Sequence, residues 1–286
     1  MNADHSAAVA TSWFTEGWLF FGVYWLFLAC LAGVETLRPT FKNVDTTDAR
    51  LRVNFVLALV SLIATASVPL TVIAAAAWAQ ENGTGLFYMM DIGAIEAIVL
   101  AVLAQSFLTY WLHRAFHEVR WLWPIHAVHH SDNAIDLTTS FRAHPISTLL
   151  TLGVHVAFVL LLGLSPVGLI LYHMAYSLSS PWHHANVTTS PTFERLASKM
   201  FVTPGFHRVH HSASEPQTNS NYSEFFTLWD WVFGTATPPH TVKQDALRIG
   251  LGDAYDVGSN SLRAQLTLPF RATPPPMPVV PSEARE

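Results

Sequence analysis

The stretch FHRVHHS at residues 206–212 places three imidazoles within five positions. A closely similar cluster, HAVHH, occupies residues 126–130. The histidines of the two stretches are His126, His129, His130, His207, His210 and His211. Histidine occurs 15 times, as often as Lys and Arg together. Even at this histidine content, one HxxHH stretch is uncommon by chance and two are far rarer. The repetition therefore indicates a shared chemical role.

The spacing within each stretch is typical of metal coordination. Residues four apart lie on one face of a helix, whereas an adjacent pair projects its rings in two directions. Such a segment suits two neighbouring metal ions better than one. HRAFH adds His113 and His117, and WHHAN adds His183 and His184.

The number of histidines limits the kind of metal site. Imidazole suits zinc, copper, iron and nickel, but a structural zinc takes four ligands and a catalytic zinc usually three. Eight or more histidines therefore overfill one site. The single cysteine, Cys30, excludes an intramolecular disulfide framework and a cysteine-based zinc or iron–sulfur site. Glu-x-x-His pairs, typical of soluble di-iron bundles, are absent, so we predict a largely nitrogen-ligated metal pair.

The composition indicates a membrane protein. Of the 286 residues, 51% are hydrophobic and only 12% are charged, whereas soluble domains carry about 25% charged residues. The net charge of -5 is spread over the whole chain, which does not suggest a nucleic-acid partner. We therefore expect a lipid environment and no nucleic acid.

Four apolar regions predict the membrane helices, since a crossing needs about 20 apolar residues. Three of them are long enough to cross alone: Trp13–Val34, Val53–Ala79, with Pro69 as a site for a kink, and Ile92–Leu112. The fourth, Thr148–Leu178, is interrupted by GLSP at residues 163–166. Because proline after glycine tends to break a helix, we expect two legs of a hairpin there.

Basic residues predict the orientation, because Lys and Arg are retained in cytoplasmic loops. Four of them, Arg38, Lys42, Arg50 and Arg52, lie between the first two runs, and none precedes the first run. This predicts an external N-terminus and cytosolic histidine clusters. The predicted fold is an all-α membrane bundle of three crossings plus a broken hairpin, with a cytosolic histidine-rich helical cap. A single long crossing at 148–178 would instead place the two HxxHH stretches on opposite sides.

The order of motifs resembles that of the fatty acid hydroxylase and sterol desaturase superfamily. The resemblance covers about residues 110–236 and comprises HRAFH, HAVHH, RAHP, HAN, TPGFHRVHH, NY and WDWVFGT. It implies a membrane-bound di-iron centre that uses O2 to hydroxylate or desaturate a lipid C–H bond. It also implies electrons from a separate reductase of ferredoxin or cytochrome type. The metal ligands that it implies are His113, His117, His126, His129, His130, His184, His207, His210 and His211.

Five further residues are candidates for binding the metal or for orienting a ligand, since a metal-bound imidazole usually donates its other N–H to a carboxylate or a carbonyl. They are His144, His183, Asp230, Asn186 and Arg142. Among the carboxylates, Asp230 is preferred because Trp229 and Trp231 flank it.

Two other readings of the histidines stay open. A zinc-dependent membrane hydrolase would need a general base, and without an HExxH motif the best candidate is Glu118 beside His117. A non-enzymatic metal-binding or transport protein would need ligands at mid-membrane depth, where the sequence places only His155, His173 and Glu96.

The predicted organisation has three parts. Residues 1–112 form transmembrane helices, and residues 113–236 form the histidine-bearing catalytic region, which includes the membrane hairpin. Residues 237–286 form a C-terminal extension whose Pro-rich end, TPPPMPVVPSEARE, is expected to be disordered.

Overall fold

A computed structural model describes residues 3–42, 47–252 and 257–271, with side chains from Phe20 onwards. Its α-helices, in chain order, are α1 (Ala3–Leu37), α2 (Asp48–Ala66), α3 (Val72–Asn82), α4 (Ala94–Glu118), α5 (Trp123–His130), α6 (Pro145–Leu162), α7 (Pro166–His184), α8 (Pro191–Ala197), α9 (Pro204–His210), α10 (Glu215–Thr218), α11 (Leu228–Val232) and α12 (Leu262–Thr267). Five short 3₁₀ helices lie at Leu86–Met89, Leu137–Phe141, Pro239–Thr241, Gln244–Ala246 and Leu268–Phe270. Apart from isolated β-bridges, all ordered elements of these residues are helical, which confirms the predicted all-α fold.

The second apolar run is two helices and not one kinked helix. Helix α2 ends at Ala66, and α3 begins at Val72 after Thr71 accepts a hydrogen bond from the Ala74 amide at 3.1 Å. Pro69 lies between them. Proline lacks the N–H that a continuous helix needs at this position and clashes with the preceding turn, so the helix ends where a kink was expected.

The fourth apolar region breaks where GLSP predicts. Helix α6 ends with Gly163 in the left-handed conformation (φ 69°), which glycine adopts without steric cost. Helix α7 then begins with Ser165, whose hydroxyl accepts from the Gly168 amide, followed by Pro166 in the first turn. Two consecutive helices thus replace one long crossing.

The long helices pack in two connected pairs. Helix α4 lies against α7, α2 lies against α6, and α3 contacts both α6 and α7. The crossing of α4 and α7 is very close at Gly168, where an added Cβ would lie 2.7 Å from the Ala101 Cβ and from the Ile98 carbonyl oxygen. Only glycine permits this approach, which holds the two helices that carry His113, His117 and His184.

Within the described residues, four helices are long and apolar enough to cross a membrane, namely the segments Phe20–Leu37, Asp48–Ala66, Ala94–Glu118 and Pro145–Leu162. Only between 11% and 28% of the residues in these segments are buried inside the protein. Apolar side chains such as Leu26, Leu62 and Ile95 therefore face outward. The chain is a membrane protein whose outward faces suit lipid.

The histidine-rich cap consists of short helices held by the C-terminal part of the chain. The 3₁₀ helix Leu268–Phe270 packs against α5, and Leu268 is fully buried with Trp123 and Val128. Gln265 accepts a hydrogen bond from Ser131 at 2.8 Å. The expected disorder of the Pro-rich tail concerns residues 273–286, which lie outside the described residues.

Gly168→Ala tests the close crossing. We expect a loss of about 1–3 kcal/mol of stability, because the methyl group overpacks the contact with α4, and a lower thermal unfolding temperature in detergent. Gly153→Ala is the matched control, since a Cβ at Gly153 meets nothing within 4 Å and alanine favours a helix interior by about 1 kcal/mol. Equal effects of the two substitutions would contradict the packing described here.

Candidate metal centre

Four helix ends bring the predicted histidines together. Helix α4 continues through HRAFH, so that His113 and His117 lie on one face of its last two turns. Helix α5 carries HAVHH, α7 ends at His184, and α9 carries HRVH and is followed by His211. The histidine-bearing ends of two long helices and two short helices therefore converge on one region.

The rings form two groups in which one nitrogen of each ring lies within 4.8 Å of the others. The five-histidine group contains His113, His117, His126, His130 and His210. The four-histidine group contains His129, His184, His207 and His211. The nine members are the nine predicted ligands, and the groups adjoin: the rings of His130 and His211 stack with centroids 4.5 Å apart.

Adjacent histidines serve different groups. His129 and His130 are neighbours in the chain but belong to the four- and five-histidine groups, respectively, and His211 and His210 divide in the same way. This is the two-directional arrangement that the HxxHH spacing predicts. A pair of neighbouring ions is therefore compatible with the backbone of both stretches.

Backbone carbonyls fix the orientation of four rings. The Nδ1 atoms of His113, His129, His184 and His210 lie 2.7–3.0 Å from the carbonyl oxygens of Tyr222, Arg142, Ser180 and Ser220, respectively. An imidazole bound in this way donates Nδ1–H to the carbonyl and leaves Nε2 as the ligand atom, which is the usual arrangement of metal-binding histidines.

The inward-facing nitrogens fit a bound cation. In a neutral ring only one nitrogen carries hydrogen, so the Nε2 atoms of His129 and His184 both present lone pairs, although they lie 3.1 Å apart. Two nitrogens that are each about 2.1 Å from one ion, as for zinc, lie about 3 Å apart when they are near a right angle. Buried ring nitrogens without a hydrogen-bond partner, including both nitrogens of His117 and Nε2 of His130, also point to a missing positive charge.

Burial favours the neutral form of the rings outside the membrane-spanning helices. It lowers the pKa of His129 to about 4. Burial, together with the neighbouring rings, also lowers the pKa of other members far below the ordinary histidine value: His126, His130, His184, His207, His210 and His211. Neutral imidazoles are the form that binds metal, so the site is prepared for ligation at neutral pH.

The loop at residues 220–223 supports the five-histidine group. Asn221 adopts a left-handed conformation (φ 58°) between the two carbonyls that hold His210 and His113. Its side chain donates to the carbonyls of Phe206 and Thr237, at 2.8 and 2.9 Å. Both carbonyls of this loop therefore face rings of the five-histidine group.

Asp230 acts on the ligands through this loop and not by direct contact. Its carboxylate accepts from the amides of Tyr222 and Ser223 at 2.8 and 2.9 Å and from the Thr235 hydroxyl at 2.6 Å. Asp230 is fully buried. Its carboxylate thus fixes the position of the Tyr222 carbonyl that holds the His113 ring. Asp230 is therefore one hydrogen bond further from the metal site than a residue in direct contact with a histidine of the centre.

Arg142 holds His129 in a similar way. Its carbonyl accepts from the His129 ring, while its buried guanidinium donates to the Val128 carbonyl, to Asn54 and to Ser131 at 2.8–2.9 Å. Arg142 therefore ties HAVHH to α2 and orients a ligand, as the sequence analysis considered. It is not among the ring ligands of either group.

Helix α9 is anchored at its start by a buried carboxylate. Glu194 accepts hydrogen bonds from the Thr203 hydroxyl and from the Gly205 amide, the latter at 3.0 Å. An added Cβ at Gly205 would lie 2.7 Å from this carboxylate. The TPG sequence that precedes FHRVHH thus sets the position of the third histidine stretch.

The other candidates lie outside both groups. His144 caps α6, with Nδ1 accepting from the Ile146 amide at 3.1 Å and Nε2 lying 3.2 Å from the Leu266 carbonyl. The Asn186 side chain instead binds the amides of Thr40 and Phe41 and the Phe41 carbonyl after α1. His144 and Asn186 therefore connect structural elements.

Glu224 is a site residue that the sequence analysis missed. Its two carboxylate oxygens lie 2.9 Å from Nδ1 of His113 and 3.3 Å from Nε2 of His183, and its side chain is only 14% exposed. His183 therefore contacts the centre through this carboxylate and also through the His207 ring, whose centroid lies 4.1 Å from its own. Glu224 follows the NY pair of the loop, and no spacing rule distinguishes it from a surface residue.

A cavity of about 360 Å³ opens onto the centre. His113, His126, His129, His184 and Glu224 contribute to its wall, and residues of α4, α6 and α7 line most of the remainder. Its volume lies within the range for small-molecule sites. A ligand in this cavity would contact both histidine groups.

Comparison with known proteins relates this region to lipid-modifying enzymes. The fatty acid hydroxylase family profile matches residues 98–235, which include all nine grouped histidines. An ornithine lipid hydroxylase of Rhizobium tropici is 33% identical over 177 residues, covering 60% of this chain and 50% of that protein. An alkylglycerol monooxygenase of Xenopus tropicalis is 31% identical over 144 residues, 49% of this chain and 30% of that protein.

A third relative, the CER1-like 2 protein of Arabidopsis thaliana, is 30% identical over 164 residues, 52% of this chain and 25% of that protein. The chain thus spans half or less of the length of these curated relatives. No solved structure shows a significant match. The family profile and these relatives agree with the motif order, and the chain belongs to the fatty acid hydroxylase superfamily.

Proposed function

We propose that this chain is a membrane-bound di-iron oxygenase that hydroxylates or desaturates a lipid C–H bond with O2 and external electrons. The observation that carries this proposal is the pair of adjoining histidine groups at one end of a cavity. The relatives described as a lipid hydroxylase and a monooxygenase support the reaction class. Such a C–H bond is inert to side-chain acids and bases, so the metal pair supplies O2 activation when it is bound.

The residues of the chain hold, orient and shield the reacting groups. The five-histidine group would hold one ion and the four-histidine group the other, with carbonyls and Glu224 fixing the rings from behind. The cavity places a substrate carbon beside both groups and excludes water from it. Its wall combines apolar residues such as Phe116 and Leu152 with hydroxyl groups.

The orientation and the electron donor belong to the same proposal. The N-terminus is outside and the histidine groups lie on the cytosolic side, as the basic residues around Arg50 indicate. Electrons come from a separate ferredoxin- or cytochrome-type reductase, which would dock on the cap.

The alternatives receive less support. A catalytic zinc usually takes three protein ligands, which would leave most of the nine rings unused. Glu118, the base that a hydrolase was expected to use, is paired with Arg114 at 2.8 Å and is 37% exposed. For a transporter, the mid-membrane His155 and His173 lie outside both metal-binding groups.

Metal analysis tests the proposal. Protein purified in detergent is expected to contain about two irons per chain. His117→Ala and His207→Ala, one from each group, should each remove about one iron while the other remains. His240→Ala is the matched control, because His240 is exposed in a 3₁₀ helix and its loss should leave two irons. The proposal would be refuted by one zinc per chain, or by a loss of iron in His240→Ala that His117→Ala and His207→Ala do not show.

Asp230→Asn tests the support from the loop. The amide replaces a carboxylate that accepts from two backbone N–H groups, so the carbonyls that hold His113 and His210 lose their fixed position. Loss of such an outer partner typically weakens metal binding about 10- to 100-fold. We expect this weakening in chelator competition for the five-histidine group only. Trp231→Phe, at a 45% exposed neighbouring position, should leave the affinity unchanged; equal weakening there would argue against the loop mechanism.

A further inference from the structure

The cavity carries a second polar site that the metal centre does not use. His155 on α6 and His173 on α7 both line the cavity, and their ring centroids lie 6.5 Å apart. Neither ring belongs to a histidine group. His155 is 7% exposed, although it lies within a helix that is long and apolar enough to span the membrane. Ionisable residues at such depth generally mark functional sites.

This polar pair lies far from the histidine groups along α7. His173 precedes His184 by eleven residues on α7, which corresponds to about 16 Å at 1.5 Å per residue. Tyr176 and Ser180 line the cavity between them at helical spacing. The cavity thus connects two chemically different ends, with the metal ligands at one and the histidine pair at the other.

The free nitrogens at this end favour an oxygen-bearing ligand. Gln105 donates from Nε2 to Nδ1 of His155, so the neutral ring carries its hydrogen on Nε2. Nε2 of His155 and Nε2 of His173 are buried without a hydrogen-bond partner among the described residues. Leaving such groups unsatisfied is costly, and an acceptor oxygen of a ligand would satisfy the His155 donor.

The charge of the wall limits the chemistry of that ligand. Among the residues that line the cavity, Glu224 is the only Asp, Glu, Lys or Arg, and it lies beside His113 at the metal end. The His155 end offers no fixed charge to pair with a phosphate, a carboxylate or an ammonium group. An uncharged oxygen, such as a hydroxyl or a carbonyl, fits this end better.

We propose that His155 and His173, with Gln105 orienting His155, bind an uncharged oxygen function of the lipid substrate at the end of the cavity remote from the metal centre. This inference rests on the proposed function and names its substrate class: a lipid with a hydroxyl or carbonyl group well separated from the carbon that is oxidised. The oxygen fixes the depth of the lipid and thereby selects the carbon that is presented to the metal pair.

The test compares hexadecan-1-ol with hexadecane, which differ by one hydroxyl group. Each is titrated into the protein as isolated, without oxygen or reductant, and affinity is read from the shift in thermal unfolding temperature. Wild-type protein is expected to bind the alcohol about five- to tenfold more tightly, as one net hydrogen bond provides. The absence of a preference would overturn the proposal, and would indicate that water occupies the polar end.

Substitutions identify the residues that cause the preference for the alcohol over the alkane. His155→Leu and His173→Leu should each reduce it to less than twofold, whereas His155→Gln, which keeps a donor, should retain most of it. Thr151→Val is the matched control, because it removes a cavity-lining hydroxyl one turn before His155, and it should leave the preference unchanged. His173→Leu breaks no hydrogen bond among the described residues, so it decides the question if His155→Leu does not fold. Retention of the preference by His173→Leu, or its loss in Thr151→Val, would overturn the assignment.

The result is separable from that of the metal analysis. If the protein contains no iron but prefers the alcohol, and the two His→Leu substitutions abolish that preference, the oxygenase proposal is refuted and the proposed oxygen-binding site is retained. Protein with two irons that does not distinguish the alcohol from the alkane would refute only this inference.

Discussion

The structure depends on the close approach of imidazole nitrogens, as in His129 and His184, whose Nδ1 atoms are both held by carbonyls so that their Nε2 lone pairs face one another. Nε2 atoms of His129, His184, His207 and His211 follow one another at 3.1 Å contacts, and His113 and His126 meet at the same distance. Burial lowers the pKa of His129 to about 4, so this ring does not relieve the contact by protonation at neutral pH. A cation held by each group would turn these facing nitrogens into ligands, which fits the convergence of four helix ends here.

The outer faces of the rings show how the fold maintains this arrangement. Three of the four carbonyls that receive an Nδ1–H belong to segments held by buried polar groups, namely Asp230 for the loop at 220–223 and the Arg142 guanidinium for its own segment, and the fourth lies within α7. The Arg50–Asp132 ion pair, at 2.7 Å and with both side chains 1% exposed, joins α2 to the segment after α5. The membrane helices line most of the cavity, and the polar networks of the cap fix the positions of the histidine rings.

Much of the site could be predicted because histidine spacing on helices directly determines ring direction. His129 and His130 had to serve different groups once their helix was assigned, and GLSP had to end α6 because glycine and proline act locally. The break after Ala66 was missed, since apolar composition alone does not reveal whether proline kinks or ends a helix. Glu224 and the indirect action of Asp230 were missed for another reason: both depend on the fold of a loop that no periodicity describes.

X-ray absorption at the iron edge of the purified protein tests the central claim most directly. Five- and four-histidine groups predict a first shell with between four and five nitrogens per iron on average, at about the 2.0–2.1 Å distance of a histidine–metal bond, and multiple scattering from imidazole rings. A shell dominated by oxygen or sulfur, or the absence of bound iron, would contradict the account.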